Sequence, residues 1–290
     1  MAILLLAALV ALGLLHVWPR LAQRRADPLF GPWLRQLADT SGWGRVVLAV
    51  GVPLLLCVLL EWLLGRSPLG DLARLLFAVL VLLYCLGPRE FEADLEAILA
   101  APDRVAREAA AQRLAPDAGD RVAWNAHALG EAIALAALRR RFGVLLWFFL
   151  LGPAGALLYR LAQTLGREED LRLDPAGGQA ARYLANALDW LPAQLLVFTL
   201  ALVGHWDAVT GAWRRWRQGA AAGDWYARGP GFLGAAACAD IAVEIEAGDG
   251  YAEERADPLL ELKRMRSAFL RALLAWLSVV ALVVLGGWIA

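Results

Sequence analysis

The sequence predicts an all-α fold: a polytopic integral membrane helical bundle of four to six spans with helical cytoplasmic loops. Three observations predict it. Of the 290 residues, 60% are hydrophobic and the mean hydropathy is +0.54, whereas soluble domains are about 45–50% apolar. The apolar residues are gathered into long runs, and the basic residues cluster in alternate connecting segments. We therefore predict a single integral membrane domain over residues 1–290, with the lipid bilayer as its partner.

The chain contains six long apolar runs, and a helix that crosses a bilayer needs about 20 such residues. The runs are 2–17, 46–64, 69–86, 142–164, 188–206 and 272–290. The first is short. Because Arg20, Arg24 and Arg25 follow it instead of preceding it, we favour a retained anchor over a signal peptide. A re-entrant segment is a further alternative for this run.

The distribution of basic residues predicts the topology. If all six runs cross and the N-terminus is outside, the inner segments 18–45, 87–141 and 207–267 hold 21 of the 28 basic residues. Short cytoplasmic segments carry such an excess, which predicts that 87–141 and 207–267 are cytoplasmic helical segments of a multi-pass membrane protein. The outer segment 165–187 is acid-rich. The distribution of basic residues is also largely compatible with four or five spans. In those arrangements, the first or fifth run enters the membrane without crossing it.

The inner segments are predicted to be helical as well. Apolar residues between 91 and 99 recur at helical spacing, Pro102 predicts the start of a second helix, and Asp103 suits its first turn. A third helix is predicted from Asp120 into the fourth run. The stretch GAWRRWRQGAAAGDW, which begins at Gly211, is typical of a helix on the inner leaflet surface.

Composition excludes several function classes. The 28 basic and 28 acidic residues give a net charge of zero, so no nucleic acid partner is predicted. Lys263 is the only lysine, and no phosphate-binding loop motif occurs. The three cysteines have no C-x-x-C spacing and the three histidines are isolated. We predict no metal site, no cofactor and no catalytic residue.

One polar group is predicted to be a ligand-binding or structural site. Its members are Tyr159, Arg160, Gln163, Thr164 and Asp189. The simpler interpretation makes Arg160 an interfacial anchor at the outer end of the fourth run and Asp189 the N-cap of the next helix, with Pro192 in its first turn. The sharper hypothesis is that Asp189 pairs with Arg160 across neighbouring helices, because an unpaired charge is costly at low dielectric.

Further acidic residues are weaker candidates. Glu90, Glu92, Asp94 and Glu131 are the carboxylates that an enzyme would need for metal binding or proton transfer, although a wet helix face explains the first three. Glu61 is expected at the membrane interface. The acids between Glu168 and Asp174 are best explained as a solvated turn.

Two motifs carry a resemblance to a known family. LGPAGALLYRLAQTL at 151–165 resembles a signature of the CobD/CbiB membrane family, which contains the cobalamin-pathway ligase adenosylcobinamide-phosphate synthase. ALDWLPAQLLVFTLALVGHW at 187–206 is more similar to a divergent branch of that family, the AmpE-type modulators of β-lactamase induction. With GPREFEADLEAIL at 87–99 and the terminal run, the resemblance covers most of the chain.

The departures from the ligase branch concern its polar positions. That branch carries a Glu-Asn…Asp string before this segment, whereas the corresponding residues here are Leu135, Ala136 and Arg139. An aliphatic residue and a cation can neither bind magnesium nor act as a general base. Gln163, Gly166 and Gln194 replace three further polar residues of the pattern.

The resemblance implies a non-enzymatic, multi-pass regulator of β-lactamase induction and cell-wall-fragment signalling in the bacterial inner membrane. Its expected partner is a cytosolic or membrane protein of the cell-wall recycling pathway, met through the inner segments. The alternative is a membrane-embedded enzyme related to adenosylcobinamide-phosphate synthase with a remodelled site, which would need a nucleotide and a metal. A structural membrane subunit without a ligand is the third interpretation.

Overall fold

The computed structural model describes residues 1–18, 30–37, 39–66, 69–86, 91–117, 119–167, 173–219, 224–239 and 257–287. All regular secondary structure in these ranges is helical. The helices are α1 Ala2–Val17, α2 Phe30–Gln36, α3 Gly42–Leu64, α4 Gly70–Leu86, α5 Phe91–Ala100, α6 Arg104–Ala111, α7 Ala126–Ala137, α8 Gly143–Arg167, α9 Pro175–Val203, α10 Trp206–Gln218, α11 Trp225–Arg228, α12 Gly231–Ala237 and α13 Pro258–Leu285. A 3₁₀ turn (Gln112–Leu114) follows α6, and a π-helical turn (Leu138–Phe142) joins α7 to α8.

The predicted all-α, multi-pass class is confirmed. Within the described ranges, four helical stretches are long and apolar enough, by length and composition, to cross a membrane: α3, α9, α13 and the stretch Ala126–Arg167, which contains α7 and α8. The first apolar run forms α1, which at 16 residues is shorter than these four.

Two of the long helices begin well before the apolar runs that predicted them. Helix α9 starts at Pro175 instead of 188, and α13 starts at Pro258 instead of 272. Asp189 and Pro192 therefore lie inside α9, and the prediction that Asp189 caps a helix there is wrong. The cap of α9 is Asp174, whose carboxylate accepts a hydrogen bond from the Gly177 N–H at 3.2 Å. Hydropathy detects the lipid-compatible part of a helix, whereas its polar first turns have no such signal.

The described residues pack as two compact units. The first comprises Met1–Glu90, Gly143–Leu188 and Leu277–Ala290, and the second comprises Phe91–Phe142 and Asp189–Trp276. The prediction of one integral domain stays a prediction.

In the first unit, α1 and α3 pack on both α4 and α8. Helix α1 buries Ala7, Ala8 and Ala11 completely, and such small side chains let membrane helices approach closely. A second apolar cluster joins α2, α3, α8 and α9. Its buried members are Phe30, Leu34, Val46, Ala49, Val50, Leu161, Leu165, Ala180 and Ala181.

Helix α8 is interrupted at Gly152. Its backbone there has φ 68° and ψ −157°, a combination that is essentially restricted to glycine, and Pro153 follows. A Cβ on Gly155 would overlap the carbonyl oxygen of Trp147, and a Cβ on Gly143 would overlap the ring of Tyr159. In a straight helix, residues eight and sixteen positions apart would be about 12 and 24 Å apart.

These contacts require the chain to reverse at Gly152. Residues 143–151 form a first arm and 153–167 a second arm, and the two pack antiparallel. The run 142–164 is therefore not one straight helix, and the prediction that it crosses the membrane once stays a prediction. The reversal depends on glycine at three places: Gly152 adopts the turn conformation, and Gly143 and Gly155 let the arms approach.

In the second unit, α7 and α10 both pack on α12, and α5 packs on α6. An aromatic cluster joins α5, the π-helical turn and α13 through Phe91, Phe142, Phe269 and Trp276, with ring centroids 5.1–6.2 Å apart. The helices begin at side-chain caps: Asp103 accepts from the Ala106 N–H and Asn125 from the Ala128 N–H, both at 2.7 Å. Residues 211–218 of the aromatic-basic stretch lie in α10, whose residues Val209, Thr210 and Ala212 are buried while Arg214, Arg215 and Arg217 are exposed.

Candidate functional site

The second unit contains a polar site built on the π-helical turn Leu138–Phe142. Three consecutive arginines, Arg139, Arg140 and Arg141, occupy this turn. A π-helical turn inserts an extra residue into a helix and is often found at functional sites. All three side chains are largely buried, with 10%, 19% and 9% of their surfaces exposed.

Arg139 lies between the carboxylates of two segments. Its Nη1 donates to the carbonyl oxygen of Pro116 at 2.5 Å and lies 3.5 Å from Asp117 Oδ1. Its Nε lies 3.5 Å from Oδ2 of Asp189. Asp189 is completely buried, and an ionised carboxylate at such a position needs a close cation. Arg139 supplies that cation.

The Arg140 side chain forms hydrogen bonds with α5 and with the 3₁₀ turn. Its Nη1 donates to Asp94 Oδ2 at 2.6 Å, and its Nη2 donates to the carbonyl oxygen of Arg113 at 2.5 Å. Asp94 is 7% exposed. Short charge-assisted bonds of this kind are the stronger hydrogen bonds in proteins.

Arg141 and Arg266 share one carboxylate. Arg141 Nη1 donates to Glu92 Oε1 at 3.1 Å, and Arg266 Nε donates to Glu92 Oε2 at 2.8 Å. Arg266 Nη2 also donates to Glu96 Oε1 at 2.7 Å. The acids at alternate positions of α5 therefore bind guanidinium groups from two other elements, the π-helical turn and α13.

The charges of the site nearly cancel. Four guanidinium groups meet five carboxylates, those of Glu92, Asp94, Glu96, Asp117 and Asp189. Across the described ranges, no group of three or more histidine, cysteine or acidic side chains could hold a metal ion. Because arginine stays protonated at any physiological pH, it holds these carboxylates as acceptors and does not act as an acid or a base.

The structure places four of the predicted site residues on the second arm of α8. Tyr159 is fully buried against Gly143. Gln163 donates to the Ala185 carbonyl oxygen at 3.3 Å and accepts from Arg167 Nε at 2.8 Å. Thr164 is 2% exposed, and no partner for its Oγ1 exists among the described residues. Arg160 is half-buried.

The fifth predicted residue belongs to the second unit. Asp189 has Arg139 as a cationic partner, and the pairing of Asp189 with Arg160 stays a prediction. No sequence pattern named Arg139 as that partner, because the basic residues of segment 87–141 were used only to predict the topology.

The predicted acidic candidates have different surroundings. Glu92 and Asp94 are bound by arginines, as described above. Glu131 is half-exposed, lies 3.7 Å from His127 Nε2 and packs on Gly234. Glu90 lies outside the described residues. Sequence analysis missed the arginines as site residues. The alternating acids of α5 were the available signal, but their partners are 46 to 174 positions away.

Comparison with known proteins finds sequence similarity to proteins named CobD. No protein-family model matches it, and no solved structure matches it. It is 33% identical over 222 residues to the cobalamin biosynthesis protein CobD of Chromobacterium violaceum, covering 70% of this chain and 65% of the relative. This chain is similar to CobD. A second protein of that name, from Stutzerimonas stutzeri, is 36% identical over 76 residues, which is 25% of each chain.

These matches support the CobD/CbiB part of the resemblance. The matched region spans less than two thirds of the Chromobacterium protein, and both relatives carry a cobalamin-biosynthesis name. Neither name refers to β-lactamase regulation, so the AmpE-type function stays a proposal.

Proposed function

We propose that this chain is a multi-pass protein of the bacterial inner membrane that acts in cobalamin biosynthesis as a CobD-related protein with a remodelled site. The observation that carries the proposal is the 33% identity to CobD over 222 residues. An all-α architecture with several span-length helices is consistent with it.

The remodelling concerns the positions where the resemblance expects carboxylates. Leu135 and Arg139 occupy these two positions, and the Arg139 guanidinium lies beside Asp189 and Asp117. Ala136 replaces the asparagine of the same string. A metal ion bound between Asp117 and Asp189 would have to displace the Arg139 guanidinium. Catalysis at the remodelled site would therefore depend on another acid.

Glu131 is the predicted acid best suited to that role. It lies on α7, in the same helix as Leu135, and is half-exposed beside His127. Carboxylate and imidazole together are a common arrangement for proton transfer. Glu92 and Asp94, in contrast, are held by arginines.

The test is complementation. A bacterial host that lacks its own CobD and needs self-made cobalamin for growth is transformed with the wild type, with Glu131→Gln or with Glu108→Gln. Glu108 is a half-exposed acid on α6, with 41% of its side chain exposed, and serves as the matched control. We expect growth with the wild type and Glu108→Gln, and at least tenfold slower growth with Glu131→Gln at equal membrane levels.

Failure of the wild type to restore growth would refute the cobalamin function. Restored growth with all three variants would keep that function and exclude Glu131 as the proton-transfer group.

The second candidate is the non-enzymatic regulator of β-lactamase induction. The observation that favours it is the neutralised site, in which Arg139 replaces an expected carboxylate and four guanidiniums engage five carboxylates. Such a protein would bind a partner of the cell-wall recycling pathway and would catalyse no reaction.

This candidate has its own test, a β-lactam induction curve in a host from which the gene is deleted. The host is complemented with the wild type or with Arg160→Gln at matched membrane levels. A changed induction threshold that only the wild type rescues would support the regulator and give Arg160 a functional role. An unchanged threshold would exclude the regulator in that host.

A further inference from the structure

The two arms of α8 are built for an apolar surrounding. No charged residue occurs from Gly143 to Tyr159. The leucines beside the turn, Leu150 and Leu151, each expose 54% of their surface. In a protein with span-length helices, such a tip belongs in the hydrocarbon of the bilayer. The second arm has 15 residues and is about 22 Å long, compared with a hydrocarbon thickness of about 30 Å.

The turn itself has a polar partner on α3. A Cβ on Gly152 would lie 3.8 and 3.9 Å from the two carboxylate oxygens of Glu61. Irregular backbone within a membrane is tolerated only where protein covers it. The second arm also begins at the turn, and the N-terminus of a helix favours a nearby negative charge. Glu61 therefore places a protein carboxylate against the reversal.

Near its other end, the second arm packs on the first half of α3, where Leu161 and Leu165 share a buried cluster with Val46. A hydrogen bond gives a second link to the start of α3. The Gly42 N–H donates to both carboxylate oxygens of Asp174, at 3.2 and 3.4 Å. Asp174 also caps α9. The N-terminal ends of α3 and α9 are consequently side by side, whereas Glu61 and the turn lie 19 residues along α3 from Gly42, a distance of about 28 Å.

From these contacts we propose that α8 is an intramembrane helical hairpin that enters and leaves the bilayer at one face, the face that holds the N-terminal ends of α3 and α9. The hairpin adds no net crossing to the topology. Gly42 and Asp174 share a face because a hydrogen bond cannot join groups separated by about 30 Å of hydrocarbon.

This arrangement opposes the topology expected from the alternation of apolar runs. That topology places segment 18–45 inside and segment 165–187 outside. In the proposed arrangement, Asp174 and the start of α9 lie at the same face as the start of α3. It does not depend on the proposed function, and its failure would leave the cobalamin proposal unchanged.

Accessibility of introduced cysteines tests the proposal in the full-length chain. The background carries Cys57→Ala, Cys85→Ala and Cys238→Ala, since all three native thiols are buried. Single cysteines then replace one exposed residue at each position to be compared. These are Asp39 before α3, Asp71 at the start of α4 and Gln179 at the start of α9.

A membrane-impermeant maleimide is applied to right-side-out and to inverted vesicles. Asp39→Cys and Asp71→Cys are the two references, because they lie at opposite ends of α3: a Cβ on Gly70 would lie 3.0 Å from the Gly65 carbonyl oxygen. We expect Gln179→Cys to be labelled from the same side as Asp39→Cys. Labelling from the side of Asp71→Cys would overturn the hairpin topology.

A distance measurement covers the case in which a label reacts from both sides. Spin labels are placed on the purified protein at positions 39 and 179, or at 39 and 71, and the distances are measured by pulsed electron spin resonance. We expect the first distance to be below about 25 Å and the second to be about 30 Å or more. A first distance that equals or exceeds the second would refute the proposal.

Discussion

The hairpin of the first unit and the arginine turn of the second unit both bring distant parts of the chain together, by opposite means. In the hairpin, glycines remove side-chain volume until the backbone of one arm touches the other. In the arginine turn, long charged side chains reach across to carboxylates on other elements. The arms of the hairpin are in steric contact, whereas the arginine turn is joined to its partners by hydrogen bonds between opposite charges.

The difference predicts different responses to substitution. A glycine contact fails when any atom is added, and nothing elsewhere in the chain compensates. An ion pair fails badly when one partner is removed, but removing both partners is often tolerated, because the desolvation penalty disappears together with the attraction. Four changes test this contrast.

The largest effect is expected from removing one charge of the arginine turn. Asp94→Leu leaves the Arg140 guanidinium without its closest carboxylate, now 2.6 Å away. We expect a loss of about 3–5 kcal/mol in the free energy of unfolding, measured by unfolding in mixed detergent micelles.

The double variant Asp94→Leu/Arg140→Met provides the control. It removes both charges and should recover most of the loss. If the double variant were as unstable as the single one, the packing of these side chains, and not their charges, would account for the stability.

In the hairpin, Gly155→Ala adds a methyl group where the Trp147 carbonyl oxygen already lies. We expect it to destabilise the protein by about 1–3 kcal/mol through overpacking, measured in the same micelles. Gly51→Ala on α3 is the matched control, since a Cβ there meets nothing within 4 Å. Equal stabilities of the two variants would contradict antiparallel packing of the arms.

Gly152→Ala tests the turn itself. The substitution forces a side chain into a backbone conformation with φ 68°, at a cost of about 1–3 kcal/mol. We expect the smaller part of that range, because the turn has open space apart from the Glu61 carboxylate. An unchanged midpoint of unfolding would show that the turn is not held in this conformation.

The smallest effect is expected for an exposed ion pair. Arg104 and Glu108 pair at 2.8 Å with 75% and 41% of their side chains exposed. Glu108→Gln should cost about 0.2–1 kcal/mol. A loss similar to that of Asp94→Leu would mean that burial does not set the strength of ion pairs in this unit.

Local sequence signals predicted much of the helical framework. Apolar runs located α1, α3 and α4, because a lipid-facing helix is apolar along its whole length. Pro102 predicted the start of α6 to within two residues, and Asp103, expected in the first turn, is the N-cap of the helix. The starts of α9 and α13 were missed because their first turns are polar, and Asp189 was consequently misplaced as a cap.

The candidate site was predicted only in part. Asp189 and the acids of α5 were named, but Arg139, Arg140, Arg141 and Arg266 were not. A run of basic residues has the same composition whether it faces a headgroup layer or a buried carboxylate. Only the packing of α5, the π-helical turn and α13 distinguishes these two environments.

By itself the sequence determined that this protein is helical, multi-pass and free of phosphate-loop and cysteine-metal motifs, because composition and local spacing carry that information. Only the tertiary structure showed that α8 reverses at Gly152 and that Arg139 is a cationic partner of Asp189. Hydropathy is the same for a helix that crosses and for a hairpin that returns, and the partner of a charge is fixed by distance in space and not by position in the chain.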